Sequence, residues 1–315
     1  MIYNYAIEPE FLITVAGNRR DYRHVIENFG LGTPRMMAEF PKLKKWRKRF
    51  RQATSSRGEM GEDEKKRLEE LFKHLIETQI RRDRYVYDND KSWLDNAENE
   101  HARHPFRAIV ATKNRNNKPH ILPFDNIGDW PDNFWSAEQG VSVERQADSM
   151  AQAIGPMLEN SQEVIFVDPH FNASERRFRA PLEAFLERYL KNKTNFEALR
   201  IEIHCSIEKD NAPAPAHFKE KCKTELPRIF PTNSTVTIKC WKQRQGGAKL
   251  HNRFVLTDIG GVLFGTGLDT GQIGEKDDIY LMARDQYIDR WNEYAGNEPA
   301  FDLDCEVKVV GIKPV

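Results

Sequence analysis

The stretch Gly246–Asp269, GGAKLHNRFVLTDIGGVLFGTGLD, holds two apolar runs, Arg253–Thr257 and Gly261–Gly265, with a short turn between them. Such spacing predicts two neighbouring strands. His251 and Arg253 are two residues apart, so on a strand their side chains share a face. Asp258 lies five residues beyond Arg253, at the far end of that strand. Gly265 and Thr266 close the second run, and Asp269 follows three residues after Thr266.

Working outward, the chain from residue 146 alternates strand and helix patterns with short connections. Helices are expected near 146–159, 181–191, 216–226 and 286–294. Strands are expected near 163–168, 200–207, 235–241, 278–283 and 301–310. That order predicts an α/β sandwich with a mixed or largely parallel sheet and helices on both faces. Residues 1–145 have a different texture, with charge runs and Asn-, Pro- and Trp-rich loops. They predict an N-terminal α+β accessory domain, with helices at 41–52 and 61–80 and a strand at 106–112. Asp125 to Gly140 is expected to be an irregular connector, so the domains are placed at 1–145 and 146–315.

Composition bounds the function. The 315 residues carry 48 Lys plus Arg against 48 Asp plus Glu, so the formal net charge is zero. Neutrality excludes a binder that attracts nucleic acid with its whole surface, but leaves room for a local basic cleft. Apolar runs are too short to span a bilayer, and the first residues make a poor signal peptide. Cys205, Cys222, Cys240 and Cys305 show no CxxC spacing, so no zinc ribbon or dithiol redox site is expected. A reducing, cytoplasmic setting fits.

The segment around His251 resembles the signature of the phospholipase D superfamily, His-x-Lys-x4-Asp-x6-Gly-Ser-x2-Asn. His251, Asp258 and Gly265 match at the right spacing. Arg253 stands for Lys, Thr266 for Ser and Asp269 for Asn. The resemblance is close over about 25 residues, extends loosely over 146–315 and does not reach 1–145. It implies a phospholipase D-like α/β/α sandwich and a metal-independent phosphodiesterase without a cofactor. His251 would be the nucleophile that forms a covalent phosphohistidine, Arg253 the clamp on the phosphate oxygens and Asp258 the orienting or structural acid. Thr266 would be a phosphate donor. Soluble relatives of this kind serve restriction, repair or phage defence.

The family normally pairs two motifs, and no second one is present. His101-Ala-Arg103 lacks the later positions, and His204-Cys-Ser206 lacks the cation. A homodimer would bring a second motif from another copy. An intrachain half-site is also open, with His170, after the 163–168 strand, as the acid and Arg176 or Arg177 as phosphate contacts. So is a degenerate fold that binds nucleic acid or a partner protein without cleaving it.

Two further groups bear on a nucleic-acid partner. KLKKWRKRFR, Lys42 to Arg51, interleaves Lys42, Lys44, Lys45, Arg47, Lys48, Arg49 and Arg51 with Trp46 and Phe50. A basic helix with aromatics suits a phosphate backbone. The alternative is an amphipathic helix whose aromatics face the core. Arg81, Arg82 and Arg84, beside Tyr85 and Tyr87, are a weaker candidate. Lys249, in a Gly-rich approach to His251, is within reach of a phosphate or simply solvated. No membrane-binding element is visible, so nucleic acid is expected over lipid.

Overall fold

The computed structural model describes all residues except 83, 84, 125, 126, 128, 129, 192, 194, 207, 209–212 and 315. Arg84, Asp125 and Ile207, which figure in the expectations above, therefore lie outside the described residues. The chain divides into two compact units, Ile2–Glu138 and Gln139–Val315, Met1 belonging with the second. Among the described residues no helix is long and apolar enough to cross a membrane.

The first unit contains β1 (Tyr3–Ile7), α1 (Pro9–Gly17), α2 (Arg19–Asn28), β2 (Arg35–Met37), α3 (Leu43–Ser56), α4 (Glu62–Glu77), α5 (Trp93–Arg103), β3 (Ala108–Ala111), β4 (Ile121–Pro123) and α6 (Asp132–Trp135). Its four strands run parallel in the order β2-β1-β3-β4. This corrects the expected α+β accessory domain to a parallel α/β arrangement. The strands were hard to read because they are only three to five residues long, and strands buried on both faces show no alternation. The two expected helices are present as α3 and α4.

In α3 the aromatics serve the core. Trp46 is buried and donates from Nε1 to the Ile7 carbonyl at 2.8 Å. Phe50 stacks on Trp46 and on Phe72 of α4.

Histidines pair at the end of α5. The His101 and His120 rings stack with centroids 4.0 Å apart, and His101 Nδ1 accepts the Phe106 amide at 3.2 Å. Burial, with the neighbouring His120 and Arg82 charges, pulls His101 down to about 4. An unfolded chain has the ordinary value near ~6.5 and takes up that proton first. The contribution of His101 to stability is therefore complete above pH ~6.5 and is lost as the pH falls through about 4. Urea unfolding of the first unit should weaken across that window in the native chain, and less so in His101→Gln; identical pH profiles would contradict the assignment.

The second unit contains β5 (Gly140–Glu144), α7 (Ala147–Asn160), β6 (Glu163–Val167), α8 (Arg176–Leu190), β7 (Arg200–Cys205), α9 (Pro215–Glu225), β8 (Thr235–Lys242), β9 (Arg253–Thr257), β10 (Gly260–Phe264), β11 (Lys276–Leu281), α10 (Arg284–Ala295) and β12 (Asp302–Val310). They build one mixed sheet in the order β12-β8-β7-β6-β9-β10-β11-β5. β6, β7 and β8 are parallel; β9 is antiparallel to β6, and the remaining pairs are antiparallel.

Alternation along the strands sorts the helices between the two faces. Phe166 of β6 and Phe264 of β10 pack on Phe185 of α8. His204 of β7 and Phe254 of β9 pack on Tyr294 of α10, on the other face. The unit is thus an α/β/α sandwich. Its boundary falls at 138/139 rather than 145/146, because the end of the expected connector is β5, paired with β11. All four cysteines are free and buried, with Cys205 and Cys240 on adjacent parallel strands.

Candidate phosphate-binding cleft

Strand direction gathers the chemistry of the second unit at one sheet edge. The carboxyl ends of β5, β6, β7 and β10 and the amino end of β9 all lie there, as the pairing directions require. α/β sheets place ligands at such an edge. A cleft of about 430 Å³ opens between these ends, lined by Arg145, Asp168, Pro169, His170, Phe171, Asn172, Glu175, Arg177, Phe178, Ser206, Pro213, Phe218, Arg253, Thr266, Gly267 and Asp269.

Three of the expected catalytic residues, Arg253, Thr266 and His170, therefore line one cleft. His251 does not. It precedes the first residue of β9, is exposed and is absent from the lining. The strand on which it was to share a face with Arg253 begins two residues later.

Of the two roles expected of Asp258, orienting or structural, its contacts are of the structural kind. It sits at the opposite end of β9, roughly 17 Å away at ~3.4 Å per residue. There it accepts the Gln162 and Glu163 amides at 2.8 and 3.1 Å, and so caps the start of β6. Burial pushes its carboxyl up despite these donors. Lys249 is exposed and does not line the cleft.

The loop after β10 is held from behind by carboxylates. Asp277 accepts the Thr266 amide at 2.9 Å and the Gly267 amide at 3.5 Å. Asp168 accepts the Leu268 amide at 2.9 Å, and the Gly265 amide bonds to the Asp278 carbonyl at 3.2 Å. The amides of residues 265–268 are thus engaged within the fold. A Cβ on Gly267 would come 2.5 Å from Asp269 Oδ1, so a side chain there would push that carboxylate off Arg145. On this loop, residues 265–268 thus offer a ligand side-chain donors only.

Two of the three guanidiniums are already engaged. Arg145 pairs with Asp269 at 2.6 Å and Glu275 at 2.8 Å. Arg177 pairs with Glu175 at 2.7 Å and Asp269 at 3.3 Å. Asp269, the acid in place of the family's Asn, is thus neutralised rather than aimed at a ligand. Arg176 is exposed and lies outside this cleft.

Arg253 differs from its two neighbours. Among the described residues it makes no ion pair; its Nε, like that of Arg145, is buried without a hydrogen-bond partner. Its charge is felt by Asp168, which is 2 % exposed and whose carboxyl burial pushes up. The Leu268 and His170 amides and Arg253 oppose that shift.

No family model matches the chain, and no curated protein matches it. Among solved structures, one match is TrmBL2, an archaeal chromatin protein whose structure is described as showing a novel mode of DNA binding. Identity is 12%, the aligned part covers 52% of this chain and 55% of that one, and the TM-score is 0.27. This chain therefore spans just over half the length of that protein, and a likeness this slight supports no statement about function.

On α3 the structure spends some of the expected nucleic-acid contacts internally. Arg49 pairs with Glu10 and Glu8, and Arg47 lies over the Phe72 ring. Lys45 bonds Asn89 and lies over Tyr87. Lys42, Lys44, Lys48 and Arg51 are exposed. Arg82 is buried against Glu100 and so is not available to a backbone.

Sequence reading missed Arg145, Asp277 and the capping role of Asp168. Asp277 lies 11 residues after Thr266 (277 minus 266), beyond the motif, and only the β10–β11 pairing brings it back. Asp277→Ala should strip two loop amides of their acceptor and cost about 1–3 kcal/mol. Amide exchange should rise at Thr266 and Gly267; unchanged exchange there would show that Asp277 does not hold the loop.

Proposed function

We propose that the second unit binds a phosphate ester in this cleft, with nucleic acid as the ligand. The reading rests on Arg253: a buried guanidinium edge without an internal partner, facing a cleft that also presents the Thr266 hydroxyl and His170. A guanidinium offers a planar fork of donors matched to phosphate oxygens, and an unsatisfied buried donor costs about 1–3 kcal/mol until a ligand meets it. On this reading the Gly246–Asp269 segment keeps the phosphate-holding half of the phospholipase D pattern while its nucleophile position stands outside the cleft.

A second reading, metal-independent phosphodiester hydrolysis, is favoured by one observation: His170 lines the same cleft as Arg253. His170 would then attack phosphorus and break its bond to the leaving strand oxygen, with Arg253 on the oxygens as charge builds, and water would hydrolyse the resulting phosphohistidine. The exposed His251 would supply the leaving-group proton from a second copy in a homodimer.

The test is titration of a single-stranded oligonucleotide at several salt concentrations, with EDTA present. Arg253→Ala should weaken binding by ~10- to 100-fold, the equivalent of ~1.5–3 kcal/mol for a charged hydrogen bond. A ligand held through one phosphate gives a log–log salt slope of about −0.7. A slope near −3, unaffected by Arg253→Ala, would move the contact to a multi-cation surface such as α3. Cleavage that survives EDTA, falls sharply in His251→Ala and disappears in His170→Ala would establish the second reading.

A further inference from the structure

Resting on that reading, we propose that the cleft selects a phosphomonoester terminus of a nucleic-acid strand, not an internal phosphodiester. Three features carry this.

The first is charge. Arg145 and Arg177 are each bound by two carboxylates, through the chain Glu275–Arg145–Asp269–Arg177–Glu175. This wall holds two cations and three anions, so it has no positive charge to offer. Arg253 is left to hold one phosphate group. A strand running through the cleft would bring the neighbouring phosphates against Glu175 and Asp269, where like charges repel. A terminus needs no second phosphate site.

The second is the difference between the two esters. A phosphomonoester has a second pKa near ~6 and carries about −1.5 to −2 at pH 7, with three acceptor oxygens. An internal diester carries a single charge and two free oxygens. Arg253, the Thr266 hydroxyl and His170 come from three different segments around the cleft, which suits a group with three acceptors.

The third is the shape of the remainder. The rest of the lining sets Pro169, Phe171, Phe178, Pro213 and Phe218 beside Asn172 and Ser206, and the Arg177 guanidinium lies 4.8 Å from the Phe178 ring centre. A volume of about 430 Å³ is of the size that holds one small organic ligand, roughly 300–1,000 Å³. One nucleoside fits that description; a tract of nucleotides does not.

The experiment compares four forms of one single-stranded DNA oligonucleotide with the full chain in EDTA: 5′-phosphorylated, 3′-phosphorylated, hydroxyl at both ends, and covalently circular. Fluorescence anisotropy competition against a labelled phosphorylated strand gives each affinity. The expected result is that at least one phosphorylated form competes ten times better than the hydroxyl and circular forms, and that Arg253→Gln abolishes the difference. The two phosphorylated arms decide which terminus is taken. A preference of threefold or more supports the inference; a smaller one, with the circular strand competing, overturns it and leaves phosphate-ester binding intact. Failure of all four forms to bind would instead defeat the phosphate-ester reading itself.

Discussion

The Asp168 carboxylate is the constraint on which the cleft depends. One oxygen accepts the His170 amide at 2.9 Å, and the other accepts the Leu268 amide at 2.9 Å. The first bond fixes the turn that follows β6; the second reaches a loop 100 residues further along the chain. One buried side chain thus sets the separation of two walls of the cleft. Burial disfavours its ionised form, and the two amides and the nearby Arg253 charge restore it in part. The same arrangement sets Arg253 close to a negative charge without an ion pair, leaving the guanidinium's donors for something outside the protein.

The carboxylates around the cleft therefore act mainly on the protein itself. Asp277 and Asp168 take up the amides of the loop after β10, and Asp269 is shared between Arg145 and Arg177. Each such group would cost several kcal/mol if buried alone, and each is matched to a donor. Outside these pairs stand the Arg253 guanidinium and the Thr266 hydroxyl, with His170 beside them in the lining.

The fold of the second unit was legible in its sequence because its strands are bounded by clear breakers and α7 and α8 carry broad apolar faces. β9 and β10 are found within one residue of the runs that opened the reading. β5 was not legible: its solvent-facing, half-buried pattern shows little apolar signal, and its place is decided by pairing with a strand more than 130 residues later. In the first unit the same failure is general, since strands of three residues such as β2 and β4 are specified by their neighbours rather than by local pattern. The site was half legible. Spacing located Arg253 and Thr266 because both belong to a local hairpin. His251 precedes the strand, which begins at Arg253, and Asp258, read at the far end of that strand, takes a structural part there by capping the start of β6. Spacing could not find Arg145 or Asp277, which reach the site only through sheet topology. The basic run on α3 shows a related limit: periodicity identified Trp46 and Phe50 as core, but only the structure shows Arg49 bound to Glu8 and Glu10.

The central claim is that Arg253 is held ready for an external phosphate, and a crystal structure of the protein soaked with a nucleoside monophosphate tests it most directly. The account predicts phosphate oxygens within about 3 Å of the Arg253 guanidinium and the Thr266 hydroxyl, with the loop from Gly265 to Asp269 unmoved. A nucleotide seated elsewhere while the Arg253 side of the cleft stays empty, or Arg253 found bound to a carboxylate of its own chain, would contradict it.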